Sequence, residues 1–219
     1  MSTPDPTGDP QEFWEQHYGA RDRIWSGRVN AHLAEVAESM TPGRALDLGC
    51  GEGADAIWLA ERGWHVVAVD VSQTALRRAA ADARGRNTEG RVDFQQHELS
   101  DSFPVGTFDL VSAQFLHSPV RLDRERVLRR AADAVAPGGL LLIVDHGSAP
   151  PWAWKLGHDH HFPSAGEVVA ALNLDAAQWG RVRVEAVERA TVGPEGQVAT
   201  VTDNVIVLRQ REAPQADRR

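Results

Sequence analysis

Short apolar segments that alternate with amphipathic helical segments restrict the fold of this chain more than any other feature. The apolar segments comprise residues 45–48, 64–69, 91–95, 108–113 and 140–145. Helical spacing of apolar residues is found in segments 54–62, 72–84 and 121–136. Strands with nearly continuous apolar sequence are buried on both faces, and helical connections join parallel neighbours. The pattern therefore predicts an α/β, Rossmann-like doubly wound sheet that is mostly parallel.

The two ends of the chain add helices and a hairpin to this core. Residues 12–18 and 29–40 have helical spacing, as have residues 165–172 after the fifth strand. Two segments with alternating apolar residues, 181–189 and 203–209, close the pattern. The link Gly193-Pro-Glu-Gly between them is too short for a crossover helix, so we expect an antiparallel hairpin and seven strands in total.

The length of 219 residues predicts a single domain with additions. We expect it to cover residues 11–210, with N-terminal helices or a lid over 11–43 and the Rossmann-like core over 44–210. Residues 1–10 and 211–219 carry proline and charge without periodicity and are expected to be disordered tails.

Charge and composition argue against several classes of partner. There are 23 basic and 31 acidic residues, a net charge of −8, which disfavours nucleic acid as a partner. We find no apolar stretch of the ~20 residues that a membrane helix needs, and no targeting segment at the start, so we expect no membrane contact. The single cysteine, Cys50, cannot form an intramolecular disulfide, which fits a reducing cytoplasm.

The glycine-rich run Asp47-Leu-Gly-Cys-Gly-Glu-Gly53 lies between the first predicted strand and its helix, where ligands bind in sheets of this kind. Asp70 ends the second strand about 20 residues later, a position suited to a ribose diol. The spacing is GxGxG rather than the GxGxxG of dinucleotide sites, and the Asp47 carboxylate would repel a pyrophosphate. S-adenosylmethionine, with a ribose, an ammonium group and a sulfonium, fits better. The alternative is a tight turn that binds no ligand.

These residues resemble the class I S-adenosylmethionine-dependent methyltransferases over about residues 45–209. The resemblance rests on the glycine-rich run, the acidic end of strand two, Glu98-Leu99, Phe108-Asp-Leu-Val111 and Val135-Ala-Pro-Gly-Gly139. The opening Trp14…Tyr18…Trp25-Ser-Gly…Asn30 is similar to small bacterial methyltransferases of the tellurite-resistance and thiopurine type.

The resemblance implies a site for S-adenosylmethionine. It would place the methionine end of the cofactor against Asp47, Gly49 and Gly51. The ribose and adenine would lie against Asp70 and Val71, and the edge of the adenine against Glu98 and Leu99. Gln114, which follows strand four, is assigned to the cofactor as well. Glu98 departs from the commoner Asp at its position, and the alternative for it is a solvated loop acid. Cys50 is interpreted as a packing residue.

The methyl acceptor is expected beyond strand four. His117 lies there and could remove a proton from the acceptor, because imidazole titrates near neutrality. It could equally orient the acceptor or simply pack, since an activated sulfonium needs alignment more than a base. An aromatic lid that binds the acceptor is predicted from Trp14, Tyr18, Trp25, Trp152 and Trp154, with ordinary packing as its alternative.

Residues 158–161, His-Asp-His-His, invite a metal interpretation, but adjacent histidines point apart in an extended segment. We therefore expect a polar substrate loop and no metal. The sequence predicts a cytoplasmic bacterial enzyme that methylates a small-molecule nucleophile. Two alternatives stay open: a non-catalytic S-adenosylmethionine-binding sensor or adaptor, and an NAD(P)-dependent reductase. The acceptor atom and the oligomeric state stay undetermined.

Overall fold

The computed structural model describes residues 8–152, 161–193 and 195–212. Its centre is one seven-stranded sheet with the order β3-β2-β1-β4-β5-β7-β6. The strands are β1 (Arg44–Leu48), β2 (His65–Asp70), β3 (Val92–Gln96), β4 (Phe108–Gln114), β5 (Val135–His146), β6 (Trp179–Val192) and β7 (Val198–Gln210). Pairing is parallel from β3 to β5 and antiparallel between β5 and β7 and between β7 and β6. The predicted Rossmann-like sheet with a C-terminal antiparallel hairpin is thus confirmed.

Six helices accompany the sheet in the described ranges. They are α1 (Pro10–Gly19), α2 (Ala31–Glu38), α3 (Ala54–Glu61), α4 (Gln73–Gly85), α5 (Arg124–Asp133) and α6 (Ala165–Leu172). Polar N-caps fix where several of them begin: the Ser72 hydroxyl accepts from the backbone N–H of Ala75, and Ser164 forms a capping box with Glu167. Such caps satisfy N–H groups that have no partner inside the helix. Helix α1 begins at Pro10, inside the predicted tail.

Two apolar clusters, one on each face of the sheet, form the core. One face packs β-strand residues such as Leu46 and Ile143 against α5 and α6. The other packs residues such as Leu142 and Val205 against α2, α3 and Trp64, whose side chain is fully buried. Burial on both faces explains why the strands have nearly continuous apolar sequence.

The segment Pro137-Gly138-Gly139 directly follows the helix predicted over residues 121–136, but it does not terminate that helix. Helix α5 stops at Asp133, and β5 already begins at Val135, so the segment lies within the strand. The register with β4 shifts between Phe108 and Leu110 at this point. A Cβ on Gly139 would lie 2.9 Å from the Asp109 carbonyl oxygen, so the irregularity depends on glycine. The hairpin strands are also longer than predicted, with 14 and 13 residues.

The chain order reverses at β1, which lies between β2 and β4. The helices that follow β1 and β4 therefore start on either side of a gap at the carboxyl ends of the strands. Ligands of open α/β sheets bind in this gap. The topology thus places residues after Leu48, Asp70 and Gln114 at one edge.

Candidate active site

A cleft of about 1230 Å³ opens at this edge of the sheet. Its walls come from the loops after β1, β2, β3 and β4, from α1 with the segment that follows it, and from the ends of β5, β6 and β7. Typical small-ligand sites measure ~300–1,000 Å³. The cleft therefore has room for two ligands side by side.

The floor of the cleft is the glycine loop between β1 and α3. Gly49, Gly51 and Gly53 have φ values of 71°, 53° and 81°, a region that side chains disfavour. A Cβ on Gly49 would lie 2.7 Å from Leu116, and one on Gly51 would lie 2.9 Å from the Tyr18 hydroxyl. Backbone conformation and close neighbours both require glycine here, so the loop can present its backbone directly to a ligand.

Asp70 holds this loop in place and also lines the cleft. Its Oδ2 accepts a hydrogen bond of 2.9 Å from the Gly51 backbone N–H, and its Oδ1 accepts one of 2.9 Å from Ser72. Burial raises the pKa of Asp70, and these backbone donors oppose the rise. Val71 follows it on the cleft wall. A carboxylate oxygen can accept more than one hydrogen bond, so Asp70 retains capacity for a ribose hydroxyl.

Asp47 and Asp55 form a pair of enclosed acids under the loop. Burial, then the charges of Asp55 and Asp70, raise the pKa of Asp47 well above its usual range. Its Oδ2 is buried and finds no hydrogen-bond partner among the residues that the structure describes. Asp55 accepts a 2.7 Å hydrogen bond from the Asn30 backbone N–H, and burial raises its pKa to about 6. An ammonium group would neutralise this pair.

The wall beyond β3 carries Glu98 and Leu99. Arg121 contacts one carboxylate oxygen of Glu98 and also binds Asp101 at 2.8 Å. The other oxygen, Oε1, is buried without a hydrogen-bond partner in the described part of the chain, and burial raises the pKa of Glu98. Leu99 is 6% exposed. The side chain of Glu98 therefore retains one acceptor atom that is not used within the described part of the chain.

Gln114 ends β4 at the middle of the cleft. Its Nε2 donates to the Ser112 hydroxyl at 2.8 Å. Its Oε1 is buried, and no donor to it is found within the described ranges. Asp47, Glu98 and Gln114 all line this cleft, and each has one buried acceptor atom without a hydrogen-bond partner in the described part of the chain.

Aromatic residues of α1 and the following segment cover the loop. The indole N–H of Trp25 donates to the Tyr18 hydroxyl at 3.1 Å, and that of Trp14 donates to Ser118 at 3.2 Å. The backbone N–H groups of Ile24 and Trp25 bind the buried Glu52 carboxylate. Burial raises the pKa of Tyr18 above its ordinary value. These contacts fasten the segment over the glycine loop.

Trp152, another residue of the predicted aromatic lid, does not join them. Trp152 lies against Gly193 at the β6–β7 turn, where an added Cβ would be 2.9 Å from its ring, and it is not part of the cleft wall. The contact of Trp152 with this turn depends on the length of the hairpin strands, which could not be inferred from the sequence. Trp154 and residues 158–160 lie outside the described residues.

His117 lies at the far side of the cleft, beyond β4. Its Nε2 is 3.2 Å from Oδ1 of Asp145, a buried residue at the end of β5. Arg124 binds both Asp145 oxygens at 2.5 Å. Burial would raise the pKa of Asp145, but the hydrogen bond from His117 and the charge of Arg124 prevail and hold the pKa below its ordinary value. The half-exposed imidazole is thus oriented by an ionised carboxylate.

Four further residues of the site escaped prediction from sequence. Asp55, an acidic residue in the first turn of α3, would have been the easiest of these to predict, since it lies two residues after the glycine loop. His146 stacks on Phe115 with ring centroids 4.5 Å apart, and burial lowers its pKa. Arg189 and Asp203 come from β6 and β7, and only the hairpin brings them to the cleft.

In residues 8–152, 161–193 and 195–212, no three His, Cys, Asp or Glu side chains cluster so that they could hold a metal ion. His161, the described member of the histidine segment, lies 3.8 Å from Glu167 on the surface. Within the same ranges, no helix has the length and apolar character to cross a membrane.

Comparisons with known proteins agree with this geometry. A family model described as a methyltransferase domain matches residues 45–139. Demethylmenaquinone methyltransferase from Thermus thermophilus is 32% identical over 175 residues, which cover 77% of this chain and 76% of that protein. The N-methyltransferase NodS from Bradyrhizobium japonicum, solved with S-adenosylhomocysteine, shares the fold with a TM-score of 0.63 and 19% identity, covering 93% of this chain and 100% of that chain.

The chain spans about half the length of several other curated relatives. One is ribosomal RNA small subunit methyltransferase C from Alcanivorax borkumensis, 31% identical over 64% of this chain and 46% of that protein. Three findings point to the same family as the glycine loop and its acidic residues do. They are the sequence similarity over most of one relative, the matched methyltransferase domain and the shared fold. The chain belongs to the class I methyltransferase family, whose cofactor is S-adenosylmethionine.

Proposed function

We propose that this protein transfers a methyl group from S-adenosylmethionine to a nucleophilic O, N, S or chalcogen atom of a small molecule. One observation carries the proposal: the cleft joins an acid-lined half with unused acceptor atoms to a half that contains an oriented histidine. A cationic, donor-rich cofactor fits the first half. The second half offers a base beside it.

The three unused acceptors support the placement of the cofactor. A buried polar atom without a partner costs ~1–3 kcal/mol, so a ligand that supplies a donor gains affinity. Asp47 is proposed to accept from the ammonium group, with the Gly49 and Gly51 backbone alongside. Asp70 and Val71 would hold the ribose, and Glu98 Oε1 the adenine amino group.

Two further cofactor contacts complete this arrangement. Leu99 would pack on the adenine ring, because its side chain is buried at the adjacent wall. Gln114 Oε1 would meet the cofactor near its reacting end, since Gln114 lies at the carboxyl end of β4 between the two halves of the cleft.

Bound S-adenosylmethionine supplies an electrophilic methyl group on a sulfonium that leaves as a neutral thioether. The chain's own contribution is alignment and proton transfer. Asp145 engages Nε2 of His117, which leaves Nδ1 as the acceptor that takes the proton of the attacking nucleophile. Trp14, Tyr18 and Trp25 exclude water above the loop and are proposed to contact the acceptor. The corresponding proposals for Trp152 and Trp154 lack support from the described contacts.

The net charge of the protein favours a small-molecule acceptor over a nucleic acid. The net charge of −8 opposes binding of RNA, although one relative's name gives ribosomal RNA as its substrate, while another's gives demethylmenaquinone. We place the domain at residues 11–210 with 11–43 as its N-terminal cover. A cytoplasmic location is part of the same proposal and is supported by the free thiol of Cys50.

The test is a screen of a metabolite extract with isotopically labelled methyl donor, read by mass spectrometry. Labelled product with S-adenosylhomocysteine supports the proposal. Cofactor binding without turnover on any fraction would favour the sensor, and binding of a nicotinamide cofactor instead would favour the reductase.

The His117→Ala variant tests the base. We expect a rate ~10²–10⁴-fold lower with unchanged cofactor affinity. The matched control is His65→Ala, an exposed histidine at the other end of the sheet. If His117→Ala methylates a hydroxyl acceptor of high pKa at the rate of the parent protein, His117 is not a base. Alignment of the acceptor would then be the role of this half of the cleft.

A further inference from the structure

The hairpin of β6 and β7 closes the acceptor end of the cleft. In the antiparallel pairing of β5 with β7, His146 lies opposite Asp203. Arg189, Thr191 and Val192 of β6 continue the wall. This wall lies beyond β5, on the side of His117 that faces away from the glycine loop. Its residues are therefore placed to meet the acceptor rather than the cofactor.

An arginine in this wall is held by a buried acid. Nε of Arg189 donates to Oδ2 of Asp203 at 2.5 Å, and Asp203 is 2% exposed. The Asp203 Oδ1 atom is buried and has no hydrogen-bond partner in the part of the chain that the structure describes. Fixing Nε orients the guanidinium plane, because the five donors of this group form a rigid fork.

The terminal nitrogens of Arg189 stay available. Within the described ranges, Nη1 and Nη2 form no hydrogen bond, and the side chain is 42% exposed. Arg121, which also lines the cleft, uses a terminal nitrogen on Glu98 and Asp101, and Arg124 behind the wall uses one on Asp145. The pair of donors on Arg189 is thus free for a ligand.

The charges of the two halves of the cleft differ. Asp47, Asp55 and Asp70 surround the glycine loop, and no basic side chain among the described residues is bound to them. At the acceptor end, by contrast, each acid has a basic partner. Arg124 and His117 bind Asp145, and Arg189 binds Asp203. The acceptor end therefore tolerates an anion where the cofactor end favours a cation.

We propose that Arg189 binds a carboxylate of the methyl acceptor, and that Asp203 is the positioning residue that orients its guanidinium. The proposal deepens the proposed function and rests on it. Two parallel N–H donors match the two oxygens of a carboxylate, and such charge-assisted pairs are among the strongest hydrogen bonds in proteins. A phosphate carries up to about two charges, which a single arginine would neutralise only in part.

Binding measurements test the proposal without knowledge of the true acceptor. The probes are benzoate, phenylacetate and hexanoate, each compared with its primary amide, on protein saturated with S-adenosylhomocysteine, with affinities from ligand-observed NMR. We expect at least one carboxylate to bind about tenfold more tightly than its amide. Arg189→Met should remove this preference, and Arg84→Met, a change at an exposed arginine of α4, should preserve it.

Asp203 is tested by a pair of variants. Asp203→Ala should lose most of the carboxylate preference while the affinity for S-adenosylhomocysteine is unchanged. Asp203→Asn should restore much of it, because the amide oxygen can still accept from Nε of Arg189. A purely structural role for Asp203 would instead weaken both ligands together, and that result would overturn the positioning role.

Several results would overturn the proposal as a whole. They are the absence of any preference for a carboxylate over its amide in the parent protein, a preference that survives in Arg189→Met, and tighter binding of phenyl phosphate than of benzoate. Failure of the proposed function is a separate observation: calorimetry on the same protein would show no binding of S-adenosylhomocysteine, or the labelled-donor screen would show cofactor binding without methyl transfer.

Discussion

Replacing Asp55 with Asn should make the ligand-free protein more stable while weakening cofactor binding. Burial raises the pKa of Asp55 to about 6 from an ordinary value of 3.8. A raised carboxyl pKa contributes stability at low pH that is lost as pH rises through the folded value. Each pKa unit corresponds to ~1.4 kcal/mol, so the shift represents about 3 kcal/mol once the group is fully ionised.

The variant removes this penalty and retains an oxygen that can accept the 2.7 Å hydrogen bond from the Asn30 backbone N–H. From the two pKa values, the penalty in the parent is about 2 kcal/mol at pH 5 and about 3 kcal/mol at pH 8. The stability advantage of Asp55→Asn should therefore grow by about 1 kcal/mol between these pH values. Urea unfolding of the ligand-free protein at both pH values measures it.

Asp93→Asn is the matched control, because Asp93 is an exposed carboxyl in β3 outside the cleft wall. Its stability difference from the parent should not change in the same way with pH. The parent should also bind S-adenosylhomocysteine up to about tenfold more weakly at pH 5 than at pH 8, since Asp55 must lose its proton to pair with the ammonium group. An advantage of Asp55→Asn that is constant with pH, or a variant less stable than the parent at pH 8, would refute the reasoning.

Three further substitutions test the loop. Asp70→Ala should weaken cofactor binding by about tenfold or more and also lower the melting temperature of the ligand-free protein, because two backbone N–H groups lose their acceptor; calorimetric titration that shows unchanged affinity in the folded variant would sink the ribose assignment. Asp47→Asn should reduce the thermal shift induced by S-adenosylmethionine, and equal shifts in variant and parent would contradict a charge role. Gly53→Ala should cost ~1–3 kcal/mol in chemical unfolding, since φ is +81° and the new Cβ would lie 2.7 Å from that of Ala79. The control Gly85→Ala, at a helical position with open space, should be neutral or stabilising by ~0.5–1 kcal/mol, and similar costs for the two changes would argue against strain in the loop.

The residues predicted to bind the cofactor all line one cleft, and the sequence could place them together because their determinants are local. The glycine loop joins one strand directly to the next helix, and Asp70 ends the strand that pairs beside it. Neighbours along the chain are neighbours in space in such units. Asp55 was missed although it follows the loop by two residues, since a first-turn acid is common at helix N-termini for reasons unrelated to a ligand.

The acceptor half was predicted only in part, because it assembles from distant segments. His117 could be placed after β4, but its partner Asp145 depends on the pairing of β4 with β5. Arg189 and Asp203 depend on the register of a hairpin whose strands extend well past the predicted ends. Side chains near strand ends change sides with a shift of one residue, and alternation alone does not fix that register.

The division of the sheet into a parallel part and an antiparallel hairpin separates the residues proposed to hold the cofactor from the hairpin wall proposed to bind the acceptor's carboxylate, while His117 and the aromatic residues of α1 are proposed to contact the acceptor from the first part of the chain. Everything proposed to hold the cofactor lies before residue 115, and the wall proposed to select the acceptor lies largely after residue 145. A mutagenic library confined to the distal halves of β6 and β7 can therefore explore new acceptors while the donor site stays constant. The same division makes the hairpin the natural segment to exchange between relatives when a methyl donor is to be kept and its recipient changed.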